Sequence, residues 1–435
     1  MLKFAIALVL SIGAASAEVH SLTLQQALQT ASRQNPDVVL ARLDEQRAEE
    51  GVRVAQDPFR PKVYGGSGLA YVYGYPNSIE RNAPSLFQFR TDMKLYNKPL
   101  SYGIAAAREL VHSFEQAAEA KADAAAYQAA DLFLTASELE HENESASGQL
   151  PSLQKVVSAM TAAVSEGSEL PVELKRAQVN LALSQERGGA ARLDADYYEM
   201  MLAVALGYPP SDRVKPLNSD LPASLTLPPE EEAGDSALRN SRDLRQMQAT
   251  VLAKEMDVRA FKSARRPQVD LVAQYALFAR YNYQYYFPSS KFQHNNFEIG
   301  AAVTIPVLLG AARGGQLAQT YTDLQKLRIQ TDQLRSRILT STRRSYQQWK
   351  KAESIRDLTR MQLELARQDL TVLLAQNNEG RVPISRLEEA RVEESNRWVA
   401  LYEAEAQATR TKLSLLRELG TLVAALGASP AGSQP

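Results

Sequence analysis

Side chains that could do chemistry are few and scattered. The four histidines, His20, His112, His141 and His294, share no metal-ligand spacing such as H-x-x-x-H. There is no cysteine, which removes thiolate nucleophiles, cysteine metal sites and disulfides and leaves the chain indifferent to an oxidising compartment. Gly65-Gly66-Ser67-Gly68 lies inside a strand pattern with no helix after it, so it is not a phosphate loop; small residues facing a crowded interior explain it better. No Gly-x-Ser-x-Gly elbow occurs, and the carboxylates fall on helix faces rather than in a cleft. The sequence therefore implies no catalytic residue, no cofactor and no metal, and does not read as an enzyme. Its 49 basic and 50 acidic residues leave a net charge of -1, with no basic footprint for nucleic acid.

The remaining chemistry is that of a surface. Phe87-Gln88-Phe89-Arg90-Thr91-Asp92-Met93-Lys94-Leu95 alternates at nearly every step, which predicts a strand with one oily and one charged face. Four windows share this parity: Lys62 to Tyr75, Ser85 to Tyr96, Gln268 to Tyr281 and Asn295 to Ile305. Odd positions such as Val63, Phe87, Phe89, Leu95, Val269, Leu271, Phe297, Ile299 and Val303 are apolar, while even positions carry Arg90, Asp92, Lys94, Asp270, Arg280 and Glu298. Eleven of the eighteen tyrosines fall between 62 and 102 or 267 and 306, which suits aromatic belts at a membrane interface. Each window reaches the ~9 to 11 residues that a tilted strand needs to cross a bilayer. With the oily face on lipid, the six charged residues become candidates for the wall of a water-filled lumen. The alternative is a soluble sheet whose oily faces are buried against each other.

These strands belong to a larger pattern that occurs twice. At a spacing of 206, Arg60-Pro61-Lys62-Val63 meets Arg266-Pro267-Gln268-Val269 and Asp37 meets Asp243. At 213, Glu166-Gly167 meets Glu379-Gly380, Leu174 meets Leu387, Ala177 meets Ala390 and Leu206-Gly207 meets Leu419-Gly420. Each copy reads helix, two strands, helix, helix, with the first helices over Leu24 to Val54 and Ser236 to Ser263. A proline and a glycine (Pro99 and Gly103, Pro306 and Gly310) mark the change from strand to long helix. Helical sequence then continues to Gly167 and Gly380, 64 and 70 residues on, or roughly 95 to 105 Å at ~1.5 Å per residue if unbroken. Leu324, Leu327, Leu334 and Ile338, then Ile355, Leu358 and Leu365, give intermittent heptad spacing, and the run Ala117 to Ala130 allows close helix packing. At Gly148-Gln149-Leu150-Pro151 the first long helix is expected to break.

The N-terminus carries an export signal: Lys3, an apolar run from Phe4 to Gly13, and the small-x-small site Ala15-Ser16-Ala17. The expected organisation is a signal peptide over 1–17, a first repeat over 18–216, a proline-rich linker over 217–229, a second repeat over 230–426 and a disordered tail over 427–435.

A strand pair, Pro-Gly entry into a very long helix, a Gly turn followed by a helix with Leu and Ala about three residues apart, a Leu-Gly stop, and the whole repeated: this order resembles the outer membrane efflux proteins, the TolC family, over nearly all of the mature chain. The resemblance implies a mainly α fold with a small β part, in which a homotrimer joins four transmembrane strands per protomer into a twelve-stranded barrel continued by a coiled-coil helical barrel. It implies a passive channel of a tripartite efflux or type I secretion system, set in outer membrane lipid, reaching into the periplasm and working with a periplasmic adaptor (membrane fusion) protein and an inner membrane pump. Its helical turns would form the periplasmic tip or gate, at Glu166, Gly167, Glu173 and Leu174 in one copy and Glu379, Gly380, Arg381, Arg386, Leu387 and Glu389 in the other, flanked by Pro171, Ala177, Pro383 and Ala390. Arg386 stands where the first copy has Glu173, so pairing of these two across helices is the alternative to an acidic ring. A soluble periplasmic coiled-coil adaptor or scaffold is the rival reading of the chain.

Overall fold

The computed structural model describes residues 18–68, 85–217, 226–278, 293–307 and 310–425. Arg280, the far ends of two strand windows, the signal sequence and the tail lie outside them. The described chain is mainly helical and groups into two compact units, one of residues 1–41, 118–242 and 335–435, the other of 42–117 and 243–334.

The second unit holds the sheet. Strands β2 (Lys62–Gly68), β3 (Ser85–Tyr96), β5 (Gln268–Phe278) and β6 (Asn295–Thr304) form one four-stranded sheet in the order β2-β3-β5-β6, antiparallel throughout. The register pairs even with even and odd with odd residues: Lys62 with Asp92, Arg90 with Gln274, Gln274 with Glu298; Gly65 with Phe89, Phe89 with Tyr275, Tyr275 with Phe297. The side-chain period of a strand is two, so this register collects the polar set on one face and the apolar set on the other. Bulges at Ser85/Phe87 and Lys94/Tyr96 bound the regular stretch.

Long helices fill much of the first unit. These are α3 (Lys98–Ser165), α4 (Pro171–Ala205), α7 (Ala312–Asn378) and α8 (Ile384–Glu418). The expected break at Gly148 to Pro151 is absent: α3 runs through Pro151 without interruption. A proline inside a helix forfeits one backbone hydrogen bond and crowds the preceding turn, at ~3 kcal/mol. Here the neighbouring helix holds the segment in place. Gln149 Nε2 donates to Asn396 Oδ1 at 3.1 Å, Ser145 and Ser395 share a 2.7 Å hydroxyl contact, and Leu153 and Val156 are buried just beyond.

The first helix of each half also differs from the reading as one piece. It is two helices, α1 (Leu24–Gln34) and α2 (Pro36–Gln56), bent at Asn35; likewise α5 (Glu230–Asn240) and α6 (Arg242–Lys262) bend at Ser241. Both corner residues are extended (ψ 134° and 117°), as expected before Pro36 but with no proline to announce it at Ser241. A short parallel pair, β1 (Val19–Thr23) with β4 (Arg213–Leu217), was also not evident in the sequence. Thr23 ends β1 and caps α1 with a full capping box through Gln26.

The core of this unit gathers Leu24, Ala27, Leu28 and Ala31 of α1 with Ala126, Ala129, Ala130 and Phe133 of α3, Leu202 and Leu206, Val214, Leu413 and Leu416. The alanines of α3 are the close-packing face expected from the sequence. After α8, the short α9 (Leu422–Ala425) closes over this core with Leu422 fully buried.

Candidate functional site

Two regions carry the residues singled out above. In the sheet, Arg90, Asp92, Lys94, Asp270 and Glu298 all lie on the even face. Lys94 Nζ donates to Asp270 Oδ2 at 2.6 Å across the β3–β5 pair, and Arg90 Nε donates to Asp92 Oδ1 at 3.0 Å along β3. Glu298 is exposed, two strands from Arg90 with Gln274 between them. The odd face carries Phe87, Phe89 and Leu95, all exposed, and Val63, Phe297, Ile299 and Val303, which are 62 to 68 % exposed. A soluble sheet would bury such a face; contiguous exposed apolar surface marks an interaction with lipid or another chain. The outer strands β2 and β6 each keep one backbone edge without a partner strand in the described sheet.

The second region is the pair of helical turns. α3 ends at Gly167 (φ 71°) and α7 at Gly380 (φ 73°), left-handed positions where glycine is at ease. In each turn the glycine N–H and the following N–H reach back to the helix end: Gly167 to Val164 and Ser168 to Ala163, Gly380 to Asn377 and Arg381 to Gln376, all at 2.9 to 3.1 Å. Pro171 opens α4 and Pro383 immediately precedes α8. The second turn is further tied by Asn377 Nδ2 donating to the Val382 carbonyl at 2.8 Å.

The charges at these turns pair locally. Arg176 donates to Glu173 at 2.7 Å, Arg381 lies 3.0 Å from Glu379, and Arg386 lies 3.6 Å from Glu389. Glu173 and Arg386 are thus each engaged by their own helix instead of by one another. Glu173, Arg176 and Glu389 line one groove of about 600 Å³ with Arg187 and Glu393; Arg386 and Glu389 line another of about 590 Å³ between α7 and α8. Leu387 is buried, Leu174 half-buried, and Glu166 exposed.

Sequence reasoning did not single out one polar tie between helices and two buried acids. Arg410 of α8 reaches α3, donating to Glu138 Oε2 at 3.1 Å and Thr135 Oγ1 at 2.9 Å. Glu388, 1 % exposed, accepts from Arg391 at 3.1 Å. Glu199 on α4 is 4 % exposed with one carboxylate oxygen unpartnered, and burial pushes its carboxyl above the usual range against the opposing pull of Lys215. No local pattern marks these positions, because each acid sits on a helix whose other acids are solvated. Among the described residues no cluster of histidine, aspartate or glutamate side chains could hold a metal ion. No described helix is long and apolar enough to cross a membrane.

The family model of outer membrane efflux proteins matches residues 233–427. Solved structures share the fold over nearly the whole chain at low identity. CusC, whose report concerns transmembrane channel formation, superposes with a TM-score of 0.72 at 16 % identity over 92 % of each chain. VceC, an outer membrane protein of Vibrio cholerae, gives 0.71 at 16 % over 91 % of this chain and 96 % of its own. The MtrE outer membrane channel of Neisseria gonorrhoeae gives 0.70 at 13 % over 91 % and 88 %. A sequence comparison with curated proteins returned no match.

Proposed function

We propose that this chain belongs with the outer membrane efflux proteins, whose family model matches residues 233–427, and is the outer membrane channel of a tripartite efflux or type I secretion system, conducting substrates passively to the exterior. The observation that carries the reading is the sheet with one charged and one exposed apolar face. Holding Val63, Phe87, Phe89, Leu95, Phe297, Ile299 and Val303 in water costs on the order of 10 kcal/mol per chain relative to an apolar surrounding. Lipid removes that cost, and the even face then meets water, lining the lumen with Arg90, Asp92, Lys94, Asp270 and Glu298.

Four strands cannot stand alone in lipid, where unpaired N–H and C=O groups each cost several kcal/mol. Three copies joining β2 of one to β6 of the next close a twelve-stranded barrel and leave no edge. The helices give a matching reason. Within one chain α4 contacts α3, α3 contacts α8 and α8 contacts α7, through Ser184 to Ala146, Ser145 to Ser395, and Arg367 to Glu394. The outer helices carry unpartnered stripes with heptad spacing: Val172, Val179, Leu183, Leu193, Tyr197 and Val204 on α4, and Ile355, Leu358, Leu365 and Val372 on α7, all exposed. Packing α7 of one copy on α4 of the next buries both. The recurrence of element order, and of left-handed glycines at Gly167, Gly207, Gly380 and Gly420, supports an internal duplication that lets two halves occupy equivalent places in the wall.

The turns at Gly167 and Gly380 are the docking tip for a periplasmic adaptor and an inner membrane pump, with Glu173, Arg386 and Glu389 as gate charges. The test is extraction and conductance. The protein should require detergent, migrate as a trimer and conduct ions in a planar bilayer, with Glu389→Gln altering the closed-state current. A monomer released from the periplasm without detergent would instead favour the scaffold reading.

A further inference from the structure

The aspartate at the start of β4 is built to receive a positive charge that the precursor does not possess. Asp212 is 7 % exposed and is reached by three donors. Its Oδ1 accepts from the backbone N of Glu18 and from Ser211 Oγ, both at 3.2 Å, and its Oδ2 lies 3.4 Å from His20 Nε2. The His20 ring is itself clamped by stacking on Tyr208, centroids 4.3 Å apart. The strand pair fixes this geometry: Arg213 N donates to the Glu18 carbonyl at 3.0 Å and Val19 pairs with Arg213. The one cation next in sequence is committed elsewhere, since Arg213 donates to Asp196 of α4 at 2.5 Å. Asp212 therefore has neutral donors and a histidine, but no permanent cation within ion-pair distance among the described residues.

Cleavage after Ala17 changes one of those donors. The Glu18 nitrogen, a neutral amide in the precursor, becomes an α-ammonium with three N–H donors and a full charge, at the same 3.2 Å from the carboxylate. We propose that Asp212 is the seat for the α-ammonium of Glu18 released by signal peptide removal, so that processing itself locks β1 onto β4 and the N-terminus onto the folded protein. The inference rests on reading residues 1–17 as a cleaved leader. The hydrogen bond from the Glu18 backbone is already the main influence holding the Asp212 carboxyl below the usual range, with His20 and Ser211 adding to it, so the site favours the anion that an ammonium needs. The titratable and charged groups facing the new terminus are Asp212 and the His20 imidazole, with the Arg213–Asp196 pair beside them and the Glu18 side chain on the terminal residue itself.

The experiment uses protein purified from the outer membrane. N-terminal sequencing should begin Glu18-Val19-His20, and any other start removes the leader reading and the proposal together. The rate of α-amine acylation is then followed against pH by mass spectrometry of the N-terminal peptide, beside a synthetic peptide of the same first residues. Pairing raises the amine's pKa, so the profile should move upward by about one pH unit and labelling near pH 7.5 should fall roughly tenfold, with Asp212→Asn restoring the peptide's profile. Simple burial would slow labelling at every pH and leave the profile in place or move it downward, never upward. A wild-type profile that coincides with the peptide's, or one only slowed or moved downward, overturns the proposal even if the terminus is Glu18 and whether or not the variant folds.

Discussion

Four left-handed glycines end the long helices and their returns, yet they should not be equally sensitive to a methyl group. A Cβ on Gly167 (φ 71°) or Gly380 (φ 73°) would meet nothing within 4 Å, so alanine there costs only its left-handed conformation, about 1 to 2 kcal/mol. A Cβ on Gly207 (φ 84°) would stand 2.6 Å from the Gln34 carbonyl oxygen, and one on Gly420 (φ 66°) 2.6 Å from that of Asn240. Those carbonyls end α1 and α5 and have little room to retreat. Asn35 Nδ2 donates to the Ala205 carbonyl at 2.8 Å, and Leu28, Leu206 and Leu419 are almost completely buried nearby in chain or in the core. Overpacking adds about 1 to 3 kcal/mol, so Gly207→Ala and Gly420→Ala should exceed Gly167→Ala and Gly380→Ala by about 2 kcal/mol, roughly thirtyfold in the unfolding equilibrium. Urea unfolding of the detergent-solubilised protein, followed by circular dichroism, reads the difference. All four variants unfolding alike, within about threefold, would refute the reasoning that backbone contact at the α1 and α5 corners makes two of these glycines irreplaceable.

Other expectations follow from the same geometry. Pro151→Ala restores a backbone hydrogen bond inside α3 and should stabilise the protein by about 1 to 3 kcal/mol; a lower melting temperature would show that the proline is structurally required. Glu199→Gln should stabilise at neutral pH. Burial raises the folded carboxyl's pKa, so the native state holds a proton that the unfolded chain has released, and stability declines as pH rises from the ordinary carboxylate value through the raised one. Melts at pH 4 and pH 7 should show a gain from the variant that vanishes at the lower pH. Lys94→Glu removes the partner of Asp270 and reverses one lumen charge per chain, so the reversal potential in a salt gradient should move toward cation selectivity; an unchanged potential would place this face away from the ion path.

The strands were legible because alternation is local: Ser85 to Tyr96 was bounded to the residue, and the parity of the even face survived pairing across all four strands. The turn glycines were legible for a similar reason, since a left-handed residue after a long helix leaves a Gly in the sequence. What escaped depends on distant partners. Pro151 looked like a stop because its local penalty is visible, whereas the support from Asn396 and Ser395 comes from residues some 250 positions on. The corner at Ser241 carries no proline, and β1 and β4 are five residues each, too short to show a period. The residues with intermittent heptad spacing on α7 divide in the structure: Leu324 and Ile338 are buried within a chain while Ile355, Leu358 and Leu365 remain exposed, a division that spacing alone does not encode. Glu199 and Glu388 are acids among many, and only their burial distinguishes them.

Because the chain has no cysteine, single cysteines give a clean measure of which side of the sheet meets water. Variants at consecutive positions Phe89, Arg90, Phe297, Glu298 and Ile299 would be exposed, in intact outer membranes, to a membrane-impermeant charged thiol reagent. The even positions, as Arg90→Cys and Glu298→Cys, should label readily and lower single-channel conductance when labelled. Phe89→Cys, Phe297→Cys and Ile299→Cys should resist the aqueous reagent and react with a lipid-soluble one. Equal labelling of both sets, or labelling of the even set with no effect on current, would contradict a lipid-facing odd side and a lumen-facing even side.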